Sequence, residues 1–88
     1  MAKVKKASKT PAQAKRKSTE LVKLGERIKS LRIEKGYTNY ENFAFEHEIP
    51  RAQFGRYERG EDLRFSSLMK IIKAFNMTPE EFFSKGFD

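Results

Sequence analysis

From Thr19 onward, helix-stopping and helix-starting residues divide the chain into short stretches of helical periodicity. This punctuation limits the fold more than any other feature of the sequence. Leu21, Leu24, Ile28 and Leu31 recur at spacings of three and four, and Lys35-Gly36 closes that segment with a basic last turn and a glycine. Thr38-Asn39-Tyr40-Glu41 has the form of a capping box and opens a second helix carrying Tyr40, Phe43, Ala44 and His47. Glu48-Ile49-Pro50 breaks it, because a residue before proline avoids the helical region. A third helix spans roughly Pro50 to Arg59 and stops at Gly60. The link Gly60 to Phe65 leads to Ser66 as the expected N-cap of a fourth helix, which buries Leu68, Ile71, Ile72 and Phe75 and ends at Asn76. Thr78-Pro79-Glu80-Glu81 is a second capping box, opening a fifth helix that carries Phe82 and Phe83 and runs to about Gly86. No segment alternates long enough for a sheet. The expected fold is all-α, five short helices with tight connections.

The 88 residues suffice for one small domain. The net charge of +7 is unevenly placed. Lys3, Lys5, Lys6, Lys9, Lys15, Arg16 and Lys17 stand in a stretch without acids, whereas the basic residues of 19–88 are cancelled by its 12 acids. Residues 1–18 hold Val4 as their sole bulky apolar side chain, too little burial to offset ordering entropy. They read as a disordered basic arm, either binding phosphate non-specifically or only solubilising, ahead of a domain over 19–88. The chain has no cysteine and one histidine, so thiolate and histidine-rich metal sites are not expected. No apolar run approaches the roughly 18 residues that cross a membrane, and the basic N-terminus lacks the apolar core of a secretory signal. A cytoplasmic, nucleoid-associated location is the expectation, with no membrane partner.

The second and third helices are joined by about three residues, which forces a steep crossing and leaves one face of the third helix outward. That is the layout of a helix-turn-helix unit, whose second helix enters the DNA major groove. The stretches LGERIKSLRIEKGYT, FAFEHEIPRAQFGRYERG and SSLMKIIKAFNMTPEEFF give the layout further detail. Across Leu24 to Phe83 the chain resembles the bacterial and phage repressor type of helix-turn-helix domain, the Xre or Cro-like group. Phe43-Ala44 and Tyr57-Glu58-Arg59-Gly60 stand at the spacing of that group's Leu-Ala pair and apolar-Glu-x-Gly signature. Ala44 is expected at the tight crossing of the two helices. The sequence departs from the group in two places. Asn39 or Tyr40 replaces its common glutamine at the start of the second helix, and Glu48 stands where the turn usually has glycine, although glutamate seldom adopts positive φ. The resemblance further implies a buried structural ion pair between Arg32 and Glu58, and each lies beside an apolar stripe, consistent with that role.

On the third helix, Phe54 and Tyr57 are expected inward and Arg51, Ala52, Gly55, Arg56 and Arg59 outward. Ala52 and Gly55 make a low surface between arginines, one that can approach base edges closely. An arginine there can read guanine through two hydrogen bonds, and an alanine can touch a thymine methyl. Arg51, Ala52, Gln53, Gly55 and Arg56 are therefore the candidates for base contacts. Thr38, Asn39 and Tyr40 at a helix N-terminus, with Arg59 and Arg64, are the candidates for phosphate contacts, Tyr40 being equally suited to packing. Glu61 and Asp62 oppose phosphate approach unless they order Arg59 and Arg64 or turn away.

The remaining features point to structure. His47 reads as a packed or half-exposed side chain, and Ser66 and Ser67 as caps without a catalytic base. The phenylalanines read as core, with Phe45 the exception because Phe43 and Ala44 already take the inward face. No constellation suggests an enzyme, a metal or another cofactor. The expected function is a sequence-specific DNA-binding transcriptional regulator of repressor type. Specificity from so short a readout calls for a homodimer on double-stranded DNA, with Phe82, Phe83 and Phe87 as the expected dimer surface. The alternative is a protein-interaction module on the same fold, an antitoxin-like partner or co-regulator.

Overall fold

A computed structural model describes residues 18–88, so the arm lies almost wholly outside the described residues. Five helices follow in order: α1 (Thr19–Glu34), α2 (Tyr40–Glu46), α3 (Arg51–Glu58), α4 (Phe65–Ala74) and α5 (Pro79–Phe82). No strand occurs among the described residues. The all-α, five-helix expectation holds, and three boundaries are corrected.

Ser18 caps α1, its hydroxyl accepting from the Leu21 amide at 3.0 Å. Thr38 forms no capping box. Asn39 is the cap of α2, its Oδ1 accepting from the Glu41 amide at 2.6 Å. Ser66 lies inside α4, whose N-cap is Arg64 and carries no side-chain cap bond. The Phe65 to Ser67 amides therefore start α4 without side-chain help. The box at Thr78 forms in both directions, at 3.1 and 2.9 Å, but α5 ends at Phe82, short of Gly86.

The first four helices terminate in one motif. The residue after the C-cap enters the left-handed region, and its own amide and the next one donate back to carbonyls of the last turn. Gly36 (φ 94°), Gly60 (φ 93°) and Asn76 (φ 58°) are residue types that tolerate this conformation, and Glu48 (φ 58°) takes it as well. The Ile49 amide bonds the Ala44 carbonyl at 2.8 Å, as the Glu61 amide bonds Arg56 at 3.0 Å. A left-handed glutamate costs roughly 1–2 kcal/mol. Burial of Ile49 immediately after it, and donation from Lys70 Nζ to the Glu48 carbonyl at 2.8 Å, offset that strain. The helix-turn-helix link thus keeps the path a glycine would take.

The core is formed by Leu24, Ile28 and Leu31 of α1, Phe43 and Ala44 of α2, Phe54 of α3, Leu68, Ile71 and Ile72 of α4, and Ile49, Phe75 and Phe82. Phe43 is its centre, stacked on Phe54 at 5.1 Å and on Phe75 at 4.9 Å between ring centroids. Burying one such ring contributes about 1.5–3 kcal/mol. The expectation that the phenylalanines are core is corrected for Phe65 (73% exposed) and Phe83 (45%), while Phe45 (84%) is the exception anticipated.

Two contacts join α1 to α3 and to α5. Gly25 of α1 lies so close to α3 that a Cβ there would stand 2.6 Å from the Glu58 carbonyl oxygen and 2.7 Å from that of Tyr57. Arg27 is buried, donating from Nε to the Phe82 carbonyl at 2.7 Å and from Nη2 to the Glu81 carbonyl at 3.1 Å. It thereby supplies a donor to the Phe82 carbonyl at the end of α5, while the Glu81 carbonyl also accepts from the Ser84 amide at 3.2 Å and the Ser84 hydroxyl at 2.6 Å. Neither residue drew notice in the sequence, Gly25 because it lacks an apolar signal and Arg27 because charge ordinarily reads as surface.

Candidate nucleic-acid interface

α3 is held by its inward side and its lower end. Phe54 is fully buried, and Glu58 binds Arg32 through Nε at 2.7 Å and Nη2 at 3.1 Å. Arg32 Nη1 also donates to the Tyr37 carbonyl at 2.6 Å, so one guanidinium ties α1, α3 and the start of the α1–α2 loop. The ion pair expected between Arg32 and Glu58 is present and buried. With those groups occupied, α3 offers Arg51, Ala52, Gln53, Arg56 and Arg59 to solvent.

Gly55 does not belong to that exposed row. It is buried, and a Cβ there would meet the Tyr40 ring at 2.9 and 3.1 Å and Arg59 Nη1 at 3.2 Å. The absence of a side chain lets the Tyr40 ring and the Arg59 guanidinium approach the helix backbone. The low surface between the arginines is therefore Ala52 alone, and Gly55 serves the contact between α2 and α3. Tyr40 is half-buried by this packing. Tyr57, expected inward, is also half-buried, and its hydroxyl donates to Gln53 Oε1 at 3.4 Å.

Thr38 and Asn39 are exposed at the N-terminus of α2, although the Asn39 carboxamide oxygen is taken by its cap bond. Arg64 is exposed at the start of α4. The loop acids settle differently from either sequence option. Glu61 Oε1 lies 3.6 Å from Arg56 Nε, and Asp62 caps the Leu63 amide at 2.8 Å. Glu41 Oε2 lies 3.7 Å from Arg51 Nη1. Sequence reasoning singled out Glu61 but expected Arg59 or Arg64 as its partner, and it gave Glu41 only a capping role; their pairing with Arg56 and Arg51 comes from proximity in space. His47 packs on Phe43 at 4.4 Å between centroids, as a half-exposed structural side chain. No cluster of His, Cys, Asp and Glu among the described residues could hold a metal ion. No described helix is long and apolar enough to cross a membrane.

The geometry is a short outward helix set across a supporting helix by a four-residue turn centred on Glu48 and Ile49, with a basic and polar exposed face. A family model for the Cro/C1-type HTH DNA-binding domain matches residues 27–85. The chain belongs to this family. The Cro/C1-type assignment confirms the Xre/Cro-like resemblance and identifies α2 and α3 as the helix-turn-helix of a DNA-binding domain. Among solved structures, the Cro/C1-type fold seen here is similar to the restriction-modification controller protein C.AhdI from Aeromonas hydrophila, with a TM-score of 0.67 and 33% identity over 75% of this chain and 100% of that one. It is likewise similar to the wild-type restriction-modification controller protein C.Esp1396I, with a TM-score of 0.67 and 31% identity over 76% of this chain and 87% of that one. The same controller as a tetramer in complex with its natural 35 base-pair operator matches with a TM-score of 0.67 and 31% identity, over 76% of this chain and 88% of that one. No curated protein sequence matched.

Proposed function

We propose that this protein is a sequence-specific transcriptional regulator of repressor type that binds an operator as a dimer or a pair of dimers. The exposed face of α3, on a domain that matches the Cro/C1 type over residues 27–85, carries this reading. α3 enters the major groove, where Arg51 and Arg56 each donate to the O6 and N7 of a guanine and Ala52 leaves room for close approach. Gln53 supplies a third polar reader once Tyr57 releases it. Thr38, Asn39 and Tyr40 from the start of α2, with Arg59 and Arg64, bind the flanking phosphates and set the register. Gly55 leaves the set of base contacts and acts through Tyr40 and Arg59.

The two neighbouring controllers align along most or all of their length, and one is a tetramer on a 35 base-pair operator. That similarity supports operator control of the restriction-modification kind, with a location on cellular DNA and no enzymatic activity of the chain itself. The seven cations of residues 1–18 add a salt-sensitive attraction to any duplex.

Selection of bound sequences from random duplex DNA tests the proposal, with the full-length protein and an Arg51→Ala, Arg56→Ala variant. An enriched motif of two related half-sites about one helical turn apart, lost in the variant, is the expected result. Lack of enrichment, or enrichment indifferent to both arginines, would favour the protein-interaction reading.

A further inference from the structure

The two arginines best placed to read bases are also the two that face carboxylates. Among the described residues there are three ion pairs. One is the buried Arg32–Glu58 pair, and the other two join Arg51 to Glu41 and Arg56 to Glu61, at 3.7 and 3.6 Å. The acids meet α3 near its two ends: Glu41, from the first turn of α2, faces Arg51 at its start, and Glu61, from the loop after Gly60, faces Arg56 in its last turn. All four side chains are substantially exposed, so neither pair contributes much to folding. Residues 19–88 as a whole carry equal numbers of basic and acidic side chains.

We propose that Glu41 and Glu61 are specificity-determining residues that restrain Arg51 and Arg56 from binding phosphate on arbitrary DNA. The inference rests on the DNA-reading function proposed above. Non-specific affinity comes almost wholly from cations that neutralise phosphates and release counterions. An arginine already facing a carboxylate gains less from a phosphate, because the exchange brings the carboxylate itself toward the negative backbone. A guanine edge presents O6 and N7 without a net charge, so the arginine can bind it while its carboxylate stays nearby. The acids therefore weaken binding to all DNA, and weaken it most where no guanine answers the arginine. Their placement also aims the guanidinium groups: Arg51 is drawn toward α2 and Arg56 toward the loop, which separates the two reading positions on α3.

The test compares affinity for the duplex selected by the wild-type protein with affinity for a scrambled duplex, across a range of salt concentrations. The full-length wild type, Glu41→Gln, Glu61→Gln and the double variant are measured. Glu26→Gln serves as the charge-matched control, since Glu26 lies on α1 beside Lys85 and Gly86. In the double variant, binding to scrambled DNA tightens by about tenfold and binding to the selected duplex by about threefold or less. The logarithmic salt slope on scrambled DNA steepens by about one for each acid removed, near the −0.9 expected per phosphate contact. Glu26→Gln leaves the ratio of the two affinities unchanged, and thermal unfolding of all variants stays close to wild type. Equal tightening on both duplexes, or none on either, overturns the inference while leaving the functional reading standing. A wild-type protein that selects no sequence overturns the functional reading and this inference with it.

Discussion

Arg32 and Glu58 meet side by side in the interior, their side chains 5% and 8% exposed, through two hydrogen bonds of 2.7 and 3.1 Å. The pair fixes the end of α3 to α1, and Gly25, further back on α1, lies close against the backbone of the same Glu58. Glu58→Ala leaves a buried guanidinium without its counter-charge and is expected to cost about 3–5 kcal/mol. Replacing both residues by apolar side chains of similar size, Arg32→Met with Glu58→Leu, is expected to recover most of that loss. Thermal unfolding followed by circular dichroism checks both, at roughly 4–8 °C per kcal/mol for a domain of this size. A Glu58→Ala protein as stable as wild type would remove the pair from the account of the fold.

Tyr40 and Gly55 form a second, smaller lock between α2 and α3. Alanine in mid-helix is favoured over glycine by about 1 kcal/mol, yet a Cβ at position 55 would stand 2.9 Å from the Tyr40 ring. Gly55→Ala is therefore expected to lose that gain in the wild-type background, and to stabilise by about 1 kcal/mol once Tyr40→Ala has vacated the space. A double-mutant cycle in denaturant measures the coupling. Additive effects would mean the ring and the glycine are independent.

Arg56 is expected to be the most informative single substitution for DNA. Arg56→Ala should weaken binding to the selected operator by about 1–3 kcal/mol and flatten preference at one base position. Fluorescence anisotropy on the operator and its single-base variants gives both quantities. Uniform weakening on every duplex would reassign Arg56 to phosphate.

Tyr37 provides a pH-dependent prediction. Its hydroxyl donates to Glu46 Oε1 at 2.6 Å, and its pKa is raised above the ordinary 10.0, first by that hydrogen bond, then by desolvation and by the Glu46 charge. The neutral phenol is the form the fold favours. This contribution to stability is therefore fully present below the ordinary tyrosine value and is lost as pH rises through the raised one. Ultraviolet titration should show the Tyr37 phenol ionising at higher pH in the wild type than in Glu46→Gln. Identical titration curves in the two proteins would contradict the contact.

Most of the helical framework was legible from residues 19–88 alone, because it depends on local chemistry. Gly36, Gly60 and Asn76 end helices where a left-handed residue is needed, and the box at Thr78 starts one. Apolar spacing identified Leu24, Ile28, Leu31, Phe43, Leu68, Ile71, Ile72 and Phe75, all of them buried. Such signals act over three or four residues, the range at which sequence and backbone conformation are tied. The Glu48 turn was located in sequence, but its conformation was not. A left-handed glutamate is unfavourable by itself, and it holds only because Ile49 is buried and Lys70, from α4, meets the Glu48 carbonyl.

Tertiary structure alone decided which groups face one another on α3. That helix has two turns, so periodicity leaves its flanking positions poorly assigned, and a glycine carries no hydrophobic signal at all. Gly55 went inward because Tyr40 arrives from another helix. Arg56 acquired Glu61, and Arg51 acquired Glu41, because a turn and a loop bring those acids within reach. Arg27 is held inside by the Phe82 and Glu81 carbonyls at the end of α5. The sequence by itself determined a five-helix, Cro-like domain with a helix-turn-helix. Which side chains stand free at its surface, and which are held by a counter-charge, came from contacts between segments far apart in the chain, which local propensity does not encode.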